Sequence, residues 1–135
     1  MSDFEEIRRV LVTTESWFDS VACQSVLASE GDRRRGIEIN RYAYFVLLFA
    51  QLERNIKEAF DRDIGGDPLA RLEHRVDVLF DSGSPAAERI MDLYWYRCEI
   101  AHGNVAPEFW PRFSHAGAST QFVEDIEFLR GMMRF

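Results

Sequence analysis

The sequence predicts an all-α protein, an antiparallel bundle of about five helices forming a single domain over residues 1–135. Three observations carry that expectation. Apolar residues recur in steps of three and four along most of the chain, the breaks between these stretches fall on Gly and Pro clusters, and no stretch shows a convincing strand alternation. The 135 residues are 47% hydrophobic and 13% aromatic, enough to build one core and too few for two.

The first helix is expected from about Ser2 to Ala28, with Phe4, Ile7, Leu11, Phe18 and Val21 on its apolar side and Val10 and Trp17 alongside. Gly31 reads as its stop, and Asp32-Arg33-Arg34-Arg35-Gly36 as a charged connector. A second helix follows from about Glu38 to Arg62. One stripe holds Tyr42, Phe45, Val46, Phe49, Leu52, Ile56 and Phe60, and its middle is apolar all round, as in helices covered on more than one side. Ile64-Gly65-Gly66-Asp67-Pro68 breaks the chain before a short third helix, about Leu69 to Phe80. Ser84 as N-cap and Pro85 at the first turn begin a fourth, which ends near Ala101 or His102 against Gly103. Pro107 to Phe113 form an aromatic loop. A last helix, about Ala118 to Met132, carries Phe122, Val123, Ile126, Leu129 and Met133.

Charge and special residues exclude several classes of function. A formal charge of -7 disfavours binding through a bulk positive field, although sixteen basic residues are present and all but Lys57 are arginine. Cys23 and Cys98 form neither a disulfide framework nor a metal knuckle. The acidic start Asp3-Phe4-Glu5-Glu6 does not resemble a signal peptide, and the longest apolar run, Tyr42 to Ala50, is far below the roughly 20 residues that span a bilayer. His74, His102 and His115 are scattered, and Glu53, Glu58 and Asp61 lack the Glu-x-x-His partners of a di-metal bundle. A cytoplasmic protein with no metal, no cofactor and no membrane contact is expected.

The segment that stands out is Tyr94-Trp95-Tyr96-Arg97-Cys98-Glu99-Ile100-Ala101-His102-Gly103-Asn104. Arginine offers phosphate a forked, permanently charged donor, and histidine moves protons near neutral pH. RNA brings its own nucleophile, the 2′-hydroxyl, so an enzyme needs little beyond a proton carrier and a charge stabiliser at phosphorus. Five residues rotate an ideal helix by roughly 140°, which separates the two side chains, but the stop at Gly103 relaxes the path of the last residue. A plainer reading stands beside this one. His102 serves as a dipole-stabilising cap, and Arg97 pairs with Glu99 or Asp92 or lies over Trp95 or Tyr94.

The stretch from Arg97 to His102, an Arg and a His with four residues between them at the end of a core helix, resembles the hallmark of the HEPN superfamily. The Ile-Ala-His-Gly ending and the aromatic-rich helix Arg41 to Glu53, closing on Gln51-Leu52-Glu53, are similar to that family as well, and the likeness covers about residues 38–104. The resemblance implies a metal-independent endoribonuclease, a toxin or defence effector, acting as a homodimer whose two Arg–His pairs line one cleft. Arg97 would then stabilise the phosphorane, and His102 would serve the 2′-hydroxyl or the leaving oxygen, leaving a cyclic 2′,3′-phosphate. An antitoxin or other partner protein is a further implied partner, and Cys98 and Glu99 sit inside the motif as supporting residues.

Two departures bear on that expectation. Cys98 stands where active members commonly carry a polar residue, and Asn104 stands where some carry a tyrosine that is modified. Asn104 is instead a candidate phosphate contact or cap. By segment, residues 1–30 carry -4, 31–64 carry +1, 65–106 carry -3 and 107–135 carry -1, so RNA would need a local patch. Arg33, Arg34 and Arg35 form the one basic run and are candidate phosphate contacts, with a solvated loop as the alternative. The competing function is a catalytically inactive HEPN-like module that binds a nucleotide or a protein through the same cleft, and a third is a structural bundle.

Overall fold

The structure, a computed structural model, describes residues 3–20, 29–103 and 120–133. Five helices and no strand occur among them: α1 (Asp3–Phe18), α2 (Glu30–Ala59), α3 (Pro68–Phe80), α4 (Pro85–Ala101) and α5 (Thr120–Met132). The all-α bundle expected from the sequence is therefore the fold. The aromatic loop at 107–113, Cys23 and Asn104 lie outside the described residues.

Helix starts follow side-chain chemistry that the sequence displays. The Asp67 carboxylate accepts from the Ala70 N–H at 2.8 Å, and the Ser84 hydroxyl accepts from the Ala87 N–H at 3.1 Å, each followed by a proline in the first turn. The start of α2 differs from expectation. Residues 30–36 are its first two turns, not a connector, and Gly31 does not stop a helix. Ser29 caps it by accepting from the Asp32 N–H at 3.1 Å. Pairs one turn apart then hold it: Arg33 and Arg34 with Glu30, and Arg35 with Glu38 at 3.0 Å. Such pairs and a cap together offset the cost of two glycines, about 1 kcal/mol each. Gly36 has a further use, because Phe18 from α1 lies where its side chain would be. Accordingly α1 ends at Phe18, well before the expected Ala28.

The long α2 is the centre of the bundle. Phe45, Leu48, Phe49, Leu52 and Ile56 on its inner face are fully buried. Helix α1 lies antiparallel to it, since Glu15 pairs with Arg41 at 2.6 Å at one end and Asp3 with Arg54 at 3.6 Å at the other. Helix α5 runs the same way as α2: the Arg41 guanidinium covers the Phe122 ring at 5.1 Å, and Asn55 reaches Met133. Helix α4 also runs with α2, its Tyr94 ring 6.4 Å from Phe49 and its Arg97 3.4 Å from Glu53, while α3 packs against both. The α5 stripe is narrower than expected, because Phe122, Ile126 and Leu129 are buried while Val123 is exposed. The outer side of α2 stays uncovered, leaving Ile39, Ala43, Leu47 and Ala50 exposed. Among the described residues, no helix is long and apolar enough to cross a membrane.

Candidate active site

The cap at Ser84 fixes the phase of α4, which buries Ala87, Ile90 and Leu93. One turn further on, Tyr94 and Arg97 follow on the side facing α2. The helix then closes on His102, whose backbone N–H donates to the carbonyls of Cys98 and Glu99, each at 3.1 Å. Gly103 has φ of 85°, a left-handed value that a residue with a Cβ adopts at a cost of roughly 1–2 kcal/mol. The His102 side chain is exposed to solvent, while Cys98 and Glu99 are half-buried.

Arg97 is about one-third exposed, and its guanidinium lies 5.9 Å from the centre of the Tyr94 ring. Its ion-pair partner is Glu53 of α2, with Nε 3.4 Å from Oε1, and not Glu99 or Asp92 as the local sequence suggests. This contact is an electrostatic pair without hydrogen-bond geometry: Oε1 of Glu53 is buried and accepts no hydrogen bond. Burial pushes the Glu53 carboxyl above its ordinary range, and the charge of Arg97 recovers only part of that shift. The Tyr94 phenol is raised too, first by its contact with the Cys98 thiol and next by burial, with Arg97 opposing. Cys98 is a free thiol, so in this chain the position after the motif arginine faces a phenol instead of supplying a strong polar partner.

A guanidinium held by a carboxylate that burial disfavours is a poor permanent ion pair and a good receptor for a stronger anion. A phosphodiester offers Arg97 two oxygens in place of one long contact. Glu53 was visible in the sequence only as one carboxylate on a long helix, because the pairing depends on how α2 and α4 meet. No group of three or more potential metal-ligating side chains occurs among the described residues.

The candidate phosphate contacts Arg33 to Arg35 lie elsewhere. Arg33 is engaged by Glu30 and Asp19, Arg34 lies 3.4 Å from Glu30 and Arg35 lies 3.0 Å from Glu38. The Glu30 carboxyl is held down to about 2, chiefly by its hydrogen bond from Arg33. With a rise of about 1.5 Å per residue, this cluster lies about 28 Å along α2 from Glu53, so one chain does not bring it to Arg97. Compared with known families, curated proteins and solved structures, the chain matches none.

Proposed function

We propose that this chain is a metal-independent, HEPN-like endoribonuclease, a cytoplasmic toxin or defence effector that acts as a homodimer. The observation that carries the reading is the end of α4, where an imidazole stands in solvent and a guanidinium five residues earlier has Glu53 as its one ion-pair partner among the described residues. Attack of a ribose 2′-oxygen on the adjacent phosphorus expels the 5′-oxygen of the next nucleotide and leaves a cyclic 2′,3′-phosphate. One proton leaves the nucleophile and one reaches the leaving oxygen. His102 serves one of these two transfers, and Arg97 offsets the charge that grows on the phosphorane. Glu53 yields Arg97 to the phosphate at little cost, because its carboxylate is already disfavoured by burial.

The exposed apolar stripe Ile39, Ala43, Leu47 and Ala50 on α2 supports a second copy as partner, since a two-fold axis joins groups that one helix holds 140° apart. An antitoxin would be a partner of the assembled dimer. The second reading, a binding module without turnover, is favoured by Glu53 already occupying Arg97 and by Cys98 beside it. RNA incubated with the protein in excess chelator separates the two. Cyclic-phosphate ends are expected with the native chain, and replacing His102 by Ala should lower cleavage at least 100-fold in a folded dimer. Cleavage retained in that variant rejects the assignment, whereas binding without cleavage by the native chain favours the module.

A further inference from the structure

Glu53, besides pairing with Arg97, forms part of the wall of an open cleft of about 540 Å³ between the C-terminal half of α2, the turn after it and α3. Arg54, Lys57, Arg71 and Arg75 line this cleft, against the acids Glu53 and Asp63. A chain of net charge -7 thus gathers four cations and two carboxylates in one concavity. The helical repeat explains the gathering. Glu53 and Lys57 are one turn apart on α2, as are Arg71 and Arg75 on α3, and the two pairs face each other across the break at Gly65-Gly66.

The cations differ in how far they are committed. Arg54 pairs with Glu58 at 3.1 Å and Asp3 at 3.6 Å. Arg75 donates to the carbonyls of Phe60 at 3.3 Å and Arg62 at 3.4 Å, which closes the end of α2, and it forms no ion pair among the described residues. Lys57 and Arg71 form no ion pair among the described residues, although acids outnumber bases in the chain by 23 to 16. Unmatched cations beside a floor formed by buried Ile56 and Leu72 suit a ligand with anionic groups on a partly apolar frame.

We propose that this cleft holds the phosphodiester backbone of single-stranded RNA next to the phosphate that Arg97 receives, with Lys57 and Arg71 as the main contacts. The proposal rests on the ribonuclease reading for the identity of the strand, and on the cleft alone for its affinity for phosphate. Glu53 forms the boundary between the two sites: its carboxylate faces Arg97, and its chain segment is shared with Lys57. Phosphates of one strand would be read on both sides of it.

The test is binding of a short labelled RNA, fully 2′-O-methylated so that the native protein cannot cleave it, over a range of salt concentrations. Each lost single-strand phosphate contact lowers the slope of log affinity against log salt by about 0.7, so K57A/R71A should lower it by about 1.4 and weaken binding roughly tenfold near 0.1 M salt. Changing Glu73 and Asp77, on the other side of α3, to Ala should leave the slope unaltered. Failure of the native chain to bind, or K57A/R71A binding with the native slope and affinity, overturns the proposal. Unmodified RNA followed in parallel keeps the two readings apart. Binding that depends on Lys57 and Arg71 without any cleavage sinks the nuclease and keeps the cleft, and cleavage with an unchanged salt slope does the reverse.

Discussion

Arginine does two different jobs in this protein, and the division follows the bundle. On the side built from α1, α5 and the first half of α2, most arginines among the described residues are paired with acids, Arg9 excepted: Arg8 to Glu127 at 2.6 Å, Arg41 to Glu15 at 2.6 Å, Arg130 to Glu5 at 2.8 Å, and Arg33 to Glu30 and Asp19. Around the second half of α2 and α3, Arg71 and Lys57 have no such partner among the described residues and Arg97 has a weak one. Helix α3 shows the contrast on its own circumference. Arg71 and Arg75 line the basic cleft, while Glu73 and Asp77 line a groove against Glu88 and Asp92 of α4. Sixteen basic residues in an acidic chain are therefore not a uniform surface charge. One set joins helices, and the other is weakly paired or without an ion pair among the described residues.

The largest expected effect tests the first set. Asp125 is only 1% exposed and accepts from Arg89 and Gln121, both at 3.2 Å, while the Arg89 guanidinium covers the Phe128 ring at 4.4 Å. Replacing Arg89 by Ala removes the charge partner of a carboxylate in the core. The full penalty for breaking a buried pair is about 3–5 kcal/mol, and about 2–3 is expected here because Arg89 is partly solvated and Asp125 keeps other partners. Replacing Arg71 by Ala should change stability by less than about 0.5 kcal/mol, as for a surface residue. Urea unfolding of the two variants measures both. Equal losses would abolish the distinction between joining and receptive arginines.

Much of this arrangement was legible in the sequence, and the rest fails for identifiable reasons. The break at Ile64 to Pro68, the Ser84-Pro85 start and the Gly103 stop place α3 and α4 to within a residue, because breaks and caps are local properties. The start of α2 departs from the sequence expectation because two glycines and three arginines look like a loop, whereas Ser29, Glu30 and Glu38 satisfy the same residues as a helix. Arg97 and His102 stand out in the sequence as a candidate pair at one helix end, by their spacing and by the resemblance it carries. Glu53, Lys57 and Arg71 were not singled out as a set, since their relation exists only after α2, α3 and α4 pack. The repeats of four, Glu53 with Lys57 and Arg71 with Arg75, flanked the Gly65-Gly66 break in plain view, but each alone is what any solvated helix shows.

Glu53 sits on the boundary between the two regions and gives a pH-dependent test of intermediate size. Its carboxyl binds a proton more tightly in the folded chain than its ordinary value of 4.5 allows, because burial outweighs Arg97. For an acid raised in this way, folding is favoured at low pH and loses stability as pH rises from the unfolded value through the folded one. At pH 7 the ionised group is a net cost. Glu53→Gln should accordingly keep or raise the thermal midpoint at pH 7, and its advantage over the native chain should shrink as pH falls toward about 4.5 and change no further below it. A clear loss of stability at pH 7 would mean that Arg97 is firmly committed to Glu53 and belongs with the joining arginines.

The smallest effect is expected at the junction of α1 and α2, where the joining set begins. A methyl group on Gly36 would lie 2.6 Å from Cε1 of Phe18, closer than carbon atoms approach without displacement. Alanine gains about 1 kcal/mol over glycine in helix propensity, and overpacking, about 1–3 kcal/mol in general, costs about 1–2 against the half-exposed Phe18 ring, so Gly36→Ala should be near neutral to about 1 kcal/mol destabilising. The sign is decided by the ring, which makes it testable in a double-mutant cycle. With Phe18 shortened to Leu, the same Gly36→Ala change should become stabilising, approaching the full propensity gain. If the cost of Gly36→Ala is instead the same in both backgrounds, Phe18 does not select this glycine. The first two turns of α2 would then owe their form to Ser29 and the Glu30 and Glu38 pairs alone.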